Sequence, residues 1–98
     1  MRKILLILLG AIVSTSCTED EMRVEVYKIE AGYGYRITEH GKTMIQQGSI
    51  PSAPGNKKFC DSLDALRVGN EVIRMLRTGK IPAITADDLR RLNIKMKC

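Results

Sequence analysis

Most of the chemistry open to this 98-residue chain rests on three cysteines, one histidine, a pair of adjacent aspartates and a few tyrosines and lysines. His40 stands beside Gly41, where a turn is expected, and scattered Asp and Glu are the only other metal-binding types near it. A zinc site needs several Cys, His or carboxylate ligands at set spacings, so His40 reads as a turn residue. Asp87 and Asp88 are neighbours in sequence. On a helix their side chains diverge, which suits capping better than paired acid and base work. Gly32-Tyr33-Gly34 lacks the third glycine and the strand-to-helix context of a dinucleotide loop. No catalytic, cofactor-binding or metal-binding set emerges, and the chain is expected not to be an enzyme.

Cys17 differs from the other cysteines in what precedes it. Arg2 and Lys3 give a positive start, Ile4 to Val13 is an apolar or small run, and Ser14-Thr15-Ser16 are small residues ahead of the thiol. The run is too short for the roughly 20 residues of a permanent membrane span. It has the build of an export signal cut before Cys17, with that thiol as the lipid attachment site, although Ser14 stands where an aliphatic residue is usual. Several acyl chains, at about 0.8 kcal/mol per buried methylene, would make the attachment lasting. The organisation expected is residues 1–16 as signal, 17–22 as lipidated N-terminus and acidic tether, and 23–98 as one small domain. Thr18-Glu19-Asp20-Glu21 reads either as a solvated spacer or as a surface-export signal.

Cys60 and Cys98 remain. In an oxidising envelope such a pair can form a disulfide, tying the C-terminus to the segment before the main helix. Neither looks catalytic, because no histidine lies near in sequence to act as base.

The net charge of +5 includes Arg2 and Lys3. Without them 14 basic face 11 acidic residues, and setting aside Glu19, Asp20 and Glu21 leaves the domain more basic still. Outside the cytoplasm that sign suits a soluble basic surface or anionic envelope components. Nucleic acid is not expected, since no basic and aromatic stripe is present. So small a domain has little room for a deep pocket, so binding should use a loop, an edge or a shallow face. Candidates for such a face are Tyr33 and Tyr35, which can stack on sugars or proteins if exposed but can equally line the core, and Lys57-Lys58, which can hold an anionic group or be a solvated tip. The Pro- and Gly-rich loop Gly48 to Asn56 lies beside them in sequence.

The elements that must position these residues follow from pattern. Val24, Val26, Tyr27 and Ile29 suit a half-exposed strand whose alternation slips near Tyr27, where a bulge is expected. Tyr33, Tyr35 and Ile37 alternate cleanly, Glu39-His40-Gly41-Lys42 makes a tight turn, and Thr43 to Gln47 returns to complete a hairpin. Phe59 should fill the core. Asp61 or Ser62 can cap a helix with Asp64 in its first turn. Its apolar side reads as Leu66, Gly69, Val72, Ile73 and Leu76, with Gly69 permitting close approach to a strand, and Gly79 ends it. Thr85 to Asp88 resembles a capping box opening a second helix from Ala86 to about Leu92, and Ile94 can start a terminal strand. The fold class expected is α+β: about three antiparallel strands, including a hairpin, packed against one amphipathic helix and followed by a short C-terminal helix.

Gly32 to Ile37, Ile45-Gln46-Gln47 to Ile50-Pro51, Gly55 to Phe59, Gly79 to Pro82, and Thr85 to Leu89, Leu92 and Ile94 together resemble the small Bacteroidetes lipoproteins grouped as domain of unknown function 4907. The family often has proline where Gly48 and Ala83 stand here. The resemblance implies an envelope location and supports the fold, and it implies no activity and no cofactor. The function expected is that of a non-catalytic accessory or binding module. It would be held by lipid on Cys17 at the outer membrane, with surface exposure open, and would meet an envelope protein or glycan. An inhibitor of a secreted enzyme, presenting the proline-rich loop, or a small enzyme are the alternatives.

Overall fold

The computed structural model describes residues 21–98, so the expected signal, Cys17 and most of the expected acidic tether lie outside the described residues. Three strands come first, β1 (Met22–Ile29), β2 (Gly32–Glu39) and β3 (Lys42–Gln47), followed by helices α1 (Ser62–Arg77) and α2 (Ala86–Arg91). The strands form one antiparallel sheet in the order β1-β2-β3. This is the α+β architecture read from the pattern.

Local signals set the turns. His40 and Gly41 both take positive φ, 53° and 82°, the geometry whose twist suits a two-residue hairpin. Val24 faces Ile37 and Val26 faces Tyr35 in a β1–β2 ladder that runs without interruption, so the bulge expected near Tyr27 is absent. The slip there is a change of face. Tyr27 lies across Gly34, where an added Cβ would come within 3.0 Å of its Cζ and Oη, and the Arg36 guanidinium stands 4.6 Å from its ring centroid. The sheet's irregularity sits instead between Ile37 and Thr38, which pair with Ile45 and Thr43 and leave Met44 as the extra residue.

Phe59 takes over beside β2 at Tyr33, exchanging backbone bonds of 3.0 and 3.2 Å with it, and is wholly buried. Asp61 caps α1 by accepting the Asp64 N–H at 2.9 Å. At the other end Gly79, with φ of 77°, donates to Leu76 O while Lys80 donates to Met75 O, closing a Schellman motif.

The contacts of α1 with the sheet fall on β1 and β2. A Cβ on Gly69 would meet Val24 Cγ1 at 2.6 Å and Tyr35 Cδ1 at 3.4 Å, so glycine is what lets helix and sheet approach. The buried face of α1 is Ala65, Val68, Val72, Ile73 and Met75, whereas Leu66 is 36% exposed and Leu76 half-buried. The apolar face is therefore turned from the stripe read in the sequence toward Val68 and Met75. The reason is that the C-terminal segment covers that flank, reaching Asp64 and Glu71 of α1.

The capping box of α2 is complete: Thr85 Oγ1 accepts the Asp88 N–H at 3.1 Å, and Asp88 Oδ2 accepts the Thr85 N–H at 3.0 Å. Beyond it the terminal strand expected from Ile94 does not form. Asn93 takes φ of 59°, and the Asn93 and Ile94 N–H groups donate to Arg90 O and Leu89 O. That second Schellman motif reverses the chain and buries Ile94 with Leu89 in the core.

Candidate recognition surface

The residues singled out for recognition meet at one end of the sheet. Tyr33 opens β2 and lies directly opposite Lys28 of β1, whose ammonium stands 4.9 Å from the Tyr33 ring centroid. Phe59 bridges to Tyr33 from the other side, which brings the preceding Lys58 against Gly32 and leaves Lys57 exposed. Lys28, Tyr33, Lys57 and Lys58 thus make a basic and aromatic end to the domain. An exposed cation and an aromatic face at this spacing attract each other modestly, and together they offer stacking area and positive charge to an anionic or sugar-bearing ligand.

Tyr35 has to be removed from that surface. It is 2% exposed, its ring 6.0 Å from that of Phe59, and burial pushes its phenol up to about 12. The alternation that put Tyr33 and Tyr35 on one face is correct, but that face carries α1, which covers Tyr35 and leaves Tyr33 half-buried. Lys28 was not singled out by sequence. Its signal was available, because pairing β1 with β2 sets it opposite Tyr33.

The neighbouring loop is stitched at its base. Ile50 N–H donates to Lys57 O at 2.7 Å, the Ser52 hydroxyl donates to Ile84 O at 2.6 Å, and Ile50 itself is buried. Its tip, the short 3-10 turn Pro54–Asn56, is exposed. A cleft of about 230 Å³ between Ser52, Pro54 and the α2 region is lined by Leu89, Ile94 and Met96.

A second polar system works as scaffold. Cys60 and Cys98 are joined as a disulfide, with Cα atoms 5.5 Å apart. Asp64 is fully buried, accepting from Arg67 at 3.1 Å and from the Lys95 backbone N–H at 2.8 Å. Glu71, two turns along the same flank, accepts from Arg74 at 2.6 Å and from Arg91 of α2 at 3.0 Å. The Arg74 hydrogen bond, against the opposing effect of burial and with Arg91 adding to it, holds the Glu71 carboxyl below its ordinary value. Lys95 does the same for Asp61, and the Thr85 N–H and Arg91 for Asp88. All these carboxylates face cations or backbone donors, which makes them clamps for the C-terminal segment.

His40 is exposed in its turn, and Asp87 and Asp88 are engaged with Arg90 and Arg91 respectively. Among the described residues no group of three His, Cys, Asp or Glu could hold a metal ion, and no helix is long and apolar enough to cross a membrane.

The fold and its surface define a small two-layer α+β domain, one helix on a three-stranded sheet, closed by a disulfide. The chain belongs to the family described as Domain of unknown function (DUF4907), which matches residues 25–91, from within β1 to the end of α2. No curated protein and no solved structure matches it.

Proposed function

We propose that this protein is a lipid-anchored envelope module that binds an anionic partner, a protein or a glycan, without catalysing a reaction on it. The observation that carries the reading is the placement of Lys28, Tyr33, Lys57 and Lys58 at the end of the sheet where β1 finishes. Acylation at Cys17 would enter the fold at the opposite end, because Met22 starts β1 shortly after that cysteine. Eight strand residues at about 3.3 Å each put roughly 23 Å between the two ends, so the basic end would stand clear of the anchored one. The outer membrane is the proposed site of attachment, in keeping with the acidic residues after Cys17 and with the resemblance to Bacteroidetes lipoproteins.

Labelled palmitate should enter the wild-type chain and not Cys17→Ala; equal labelling of both contradicts the anchor. Capture from envelope extracts separates the module from a second reading, an inhibitor presenting its stitched loop with Pro54–Asn56 at the tip. Envelope proteins or glycans retained in a salt-sensitive way support the module. A single stoichiometric hydrolase, retained through the loop, supports the inhibitor.

A further inference from the structure

The two edges of the sheet are built differently. β3 has 6 residues and a bulge, which blunts its pairing capacity, whereas β1 has 8 residues in an unbroken register with no proline. β1 pairs with β2 on one side, and among the described residues no other strand lies beside it. Along its open side runs a groove of about 820 Å³ between β1 and α1, lined by Val24, Leu66, Asn70 and Ile73. Leu66 is one of the few large apolar side chains left exposed.

We propose that β1 pairs antiparallel with β1 of a second copy of this chain, joining two sheets into one of six strands. A two-fold axis perpendicular to the sheet keeps each residue on its own face, so only registers that set a residue opposite one of like parity are allowed. The register centred on Val24 sets Val24 against itself and Arg23 against Glu25 of the partner subunit, twice over. Arg23 is exposed and has no ion-pair partner among the described residues, while Glu25 holds Arg36 at 3.2 Å and keeps a half-exposed carboxylate. Centring on Glu25 would oppose that carboxylate to its own copy, and centring on Val26 would leave both Arg23 and Glu25 without an opposite charge across the seam, so charge favours Val24 as the centre.

The helices fit the same arrangement. Gly69 touches Val24 of β1 and Tyr35 of β2, so α1 lies over the gap between those strands. With strands about 4.8 Å apart, joining the two β1 edges puts the two α1 axes about 10 Å from each other, the usual spacing of packed helices. They run antiparallel, with Asn70 near the axis and Leu66 facing Ile73 of the partner subunit. The groove closes on an apolar pair and the exposed Leu66 is covered. Charge, helix spacing and the covering of Leu66 therefore favour a second copy over an unrelated strand.

The test is oxidative crosslinking of the full chain in its own membranes. In an antiparallel pair, opposed Cα atoms are about 4.5–5.5 Å apart, within disulfide reach. Val24→Cys should give a species of twice the monomer mass, at least tenfold more abundant than with Glu25→Cys, Val26→Cys or the wild-type chain, which controls for Cys17. Light scattering of the detergent-solubilised chain should show Arg23→Glu dissociating at a concentration at least fivefold higher than wild type, and Arg23→Glu/Glu25→Arg restoring association to within twofold. A cooperative urea transition with a wild-type slope in each variant reports that the fold persists. Equal crosslinking at all three positions, a product of another mass, or a wild-type chain that is monomeric at every concentration would overturn the proposal, as would Arg23→Glu without effect.

Discussion

Replacing both cysteines of the bridge, Cys60→Ser with Cys98→Ser, should remove a large share of the domain's stability while leaving its native contacts in place. The two residues are 38 apart in sequence, and closing a loop of that length lowers the entropy of the unfolded chain by the equivalent of about 4 kcal/mol. A domain of this size holds about 4–12 kcal/mol in total, so the loss spans a third of it to all of it. In the native state the tail stays put without the bridge, since the Lys95 N–H still reaches Asp64 at 2.8 Å and its ammonium reaches Asp61 at 2.9 Å. The effect therefore belongs to the unfolded chain. Urea unfolding followed by circular dichroism should show a midpoint about 3–4 M lower at a slope near 1 kcal/mol/M, with the slope itself rising as the unfolded chain expands. Reductant added to the wild-type protein should reproduce the shift. A loss below about 1 kcal/mol with an unchanged slope would refute the argument, because the bridge would then constrain nothing that the tail's other contacts do not already hold.

Three further outcomes follow from packing and charge. Ala31 sits at φ of 70° in the β1–β2 turn, so Ala31→Gly should stabilise by about 1 kcal/mol in the same urea assay, by relieving a left-handed conformation costly to a residue with a Cβ. Gly69→Ala drives a methyl to within 2.6 Å of Val24 Cγ1; crowding of about 1–3 kcal/mol should outweigh the helix propensity gained, and adding Val24→Ala should return most of the loss. Glu71 is held below its ordinary value of 4.5, first by Arg74, so its contribution is complete above that pH and is lost as the pH falls through the lower folded-state value. Glu71→Gln should cost about 1–2 kcal/mol at neutral pH and flatten the acid limb of the urea midpoint against pH.

Elements governed by neighbours in sequence were legible. The His40-Gly41 turn, the Asp61 cap, the Thr85–Asp88 box and the glycine that ends α1 each depend on a few adjacent residues whose backbone preferences are strong. Gly69 could be read as a point of close approach because a helix interior does not otherwise favour glycine. What escaped depends on which surfaces meet. Tyr27 broke the alternation of β1, yet its ring had a place on the outer face over Gly34, visible only once β2 was set beside it. Leu66 outranks Val68 in size, but the segment folded back onto Asp64 and Glu71 decided which flank of α1 was covered. Ile94 is β-branched and suits a strand, and the Schellman motif at Asn93 overrode that preference. At the recognition surface the sequence supplied Tyr33, Lys57 and Lys58, missed Lys28, and left Tyr35 open to a surface or a core role that the packing of α1 resolved.

The proposed role as a binding module rests on the basic end of the sheet, and paired capture of envelope components tests it most directly. Wild-type protein and Lys57→Glu/Lys58→Glu, both with the Cys60–Cys98 bridge intact, would be compared for what they retain at low and moderate salt. The account predicts that the charge-reversed protein loses its partner at least tenfold at low salt, and that the wild type releases the same partner as salt rises, as exposed charges become screened. Equal retention by the two proteins, insensitive to salt, would contradict it.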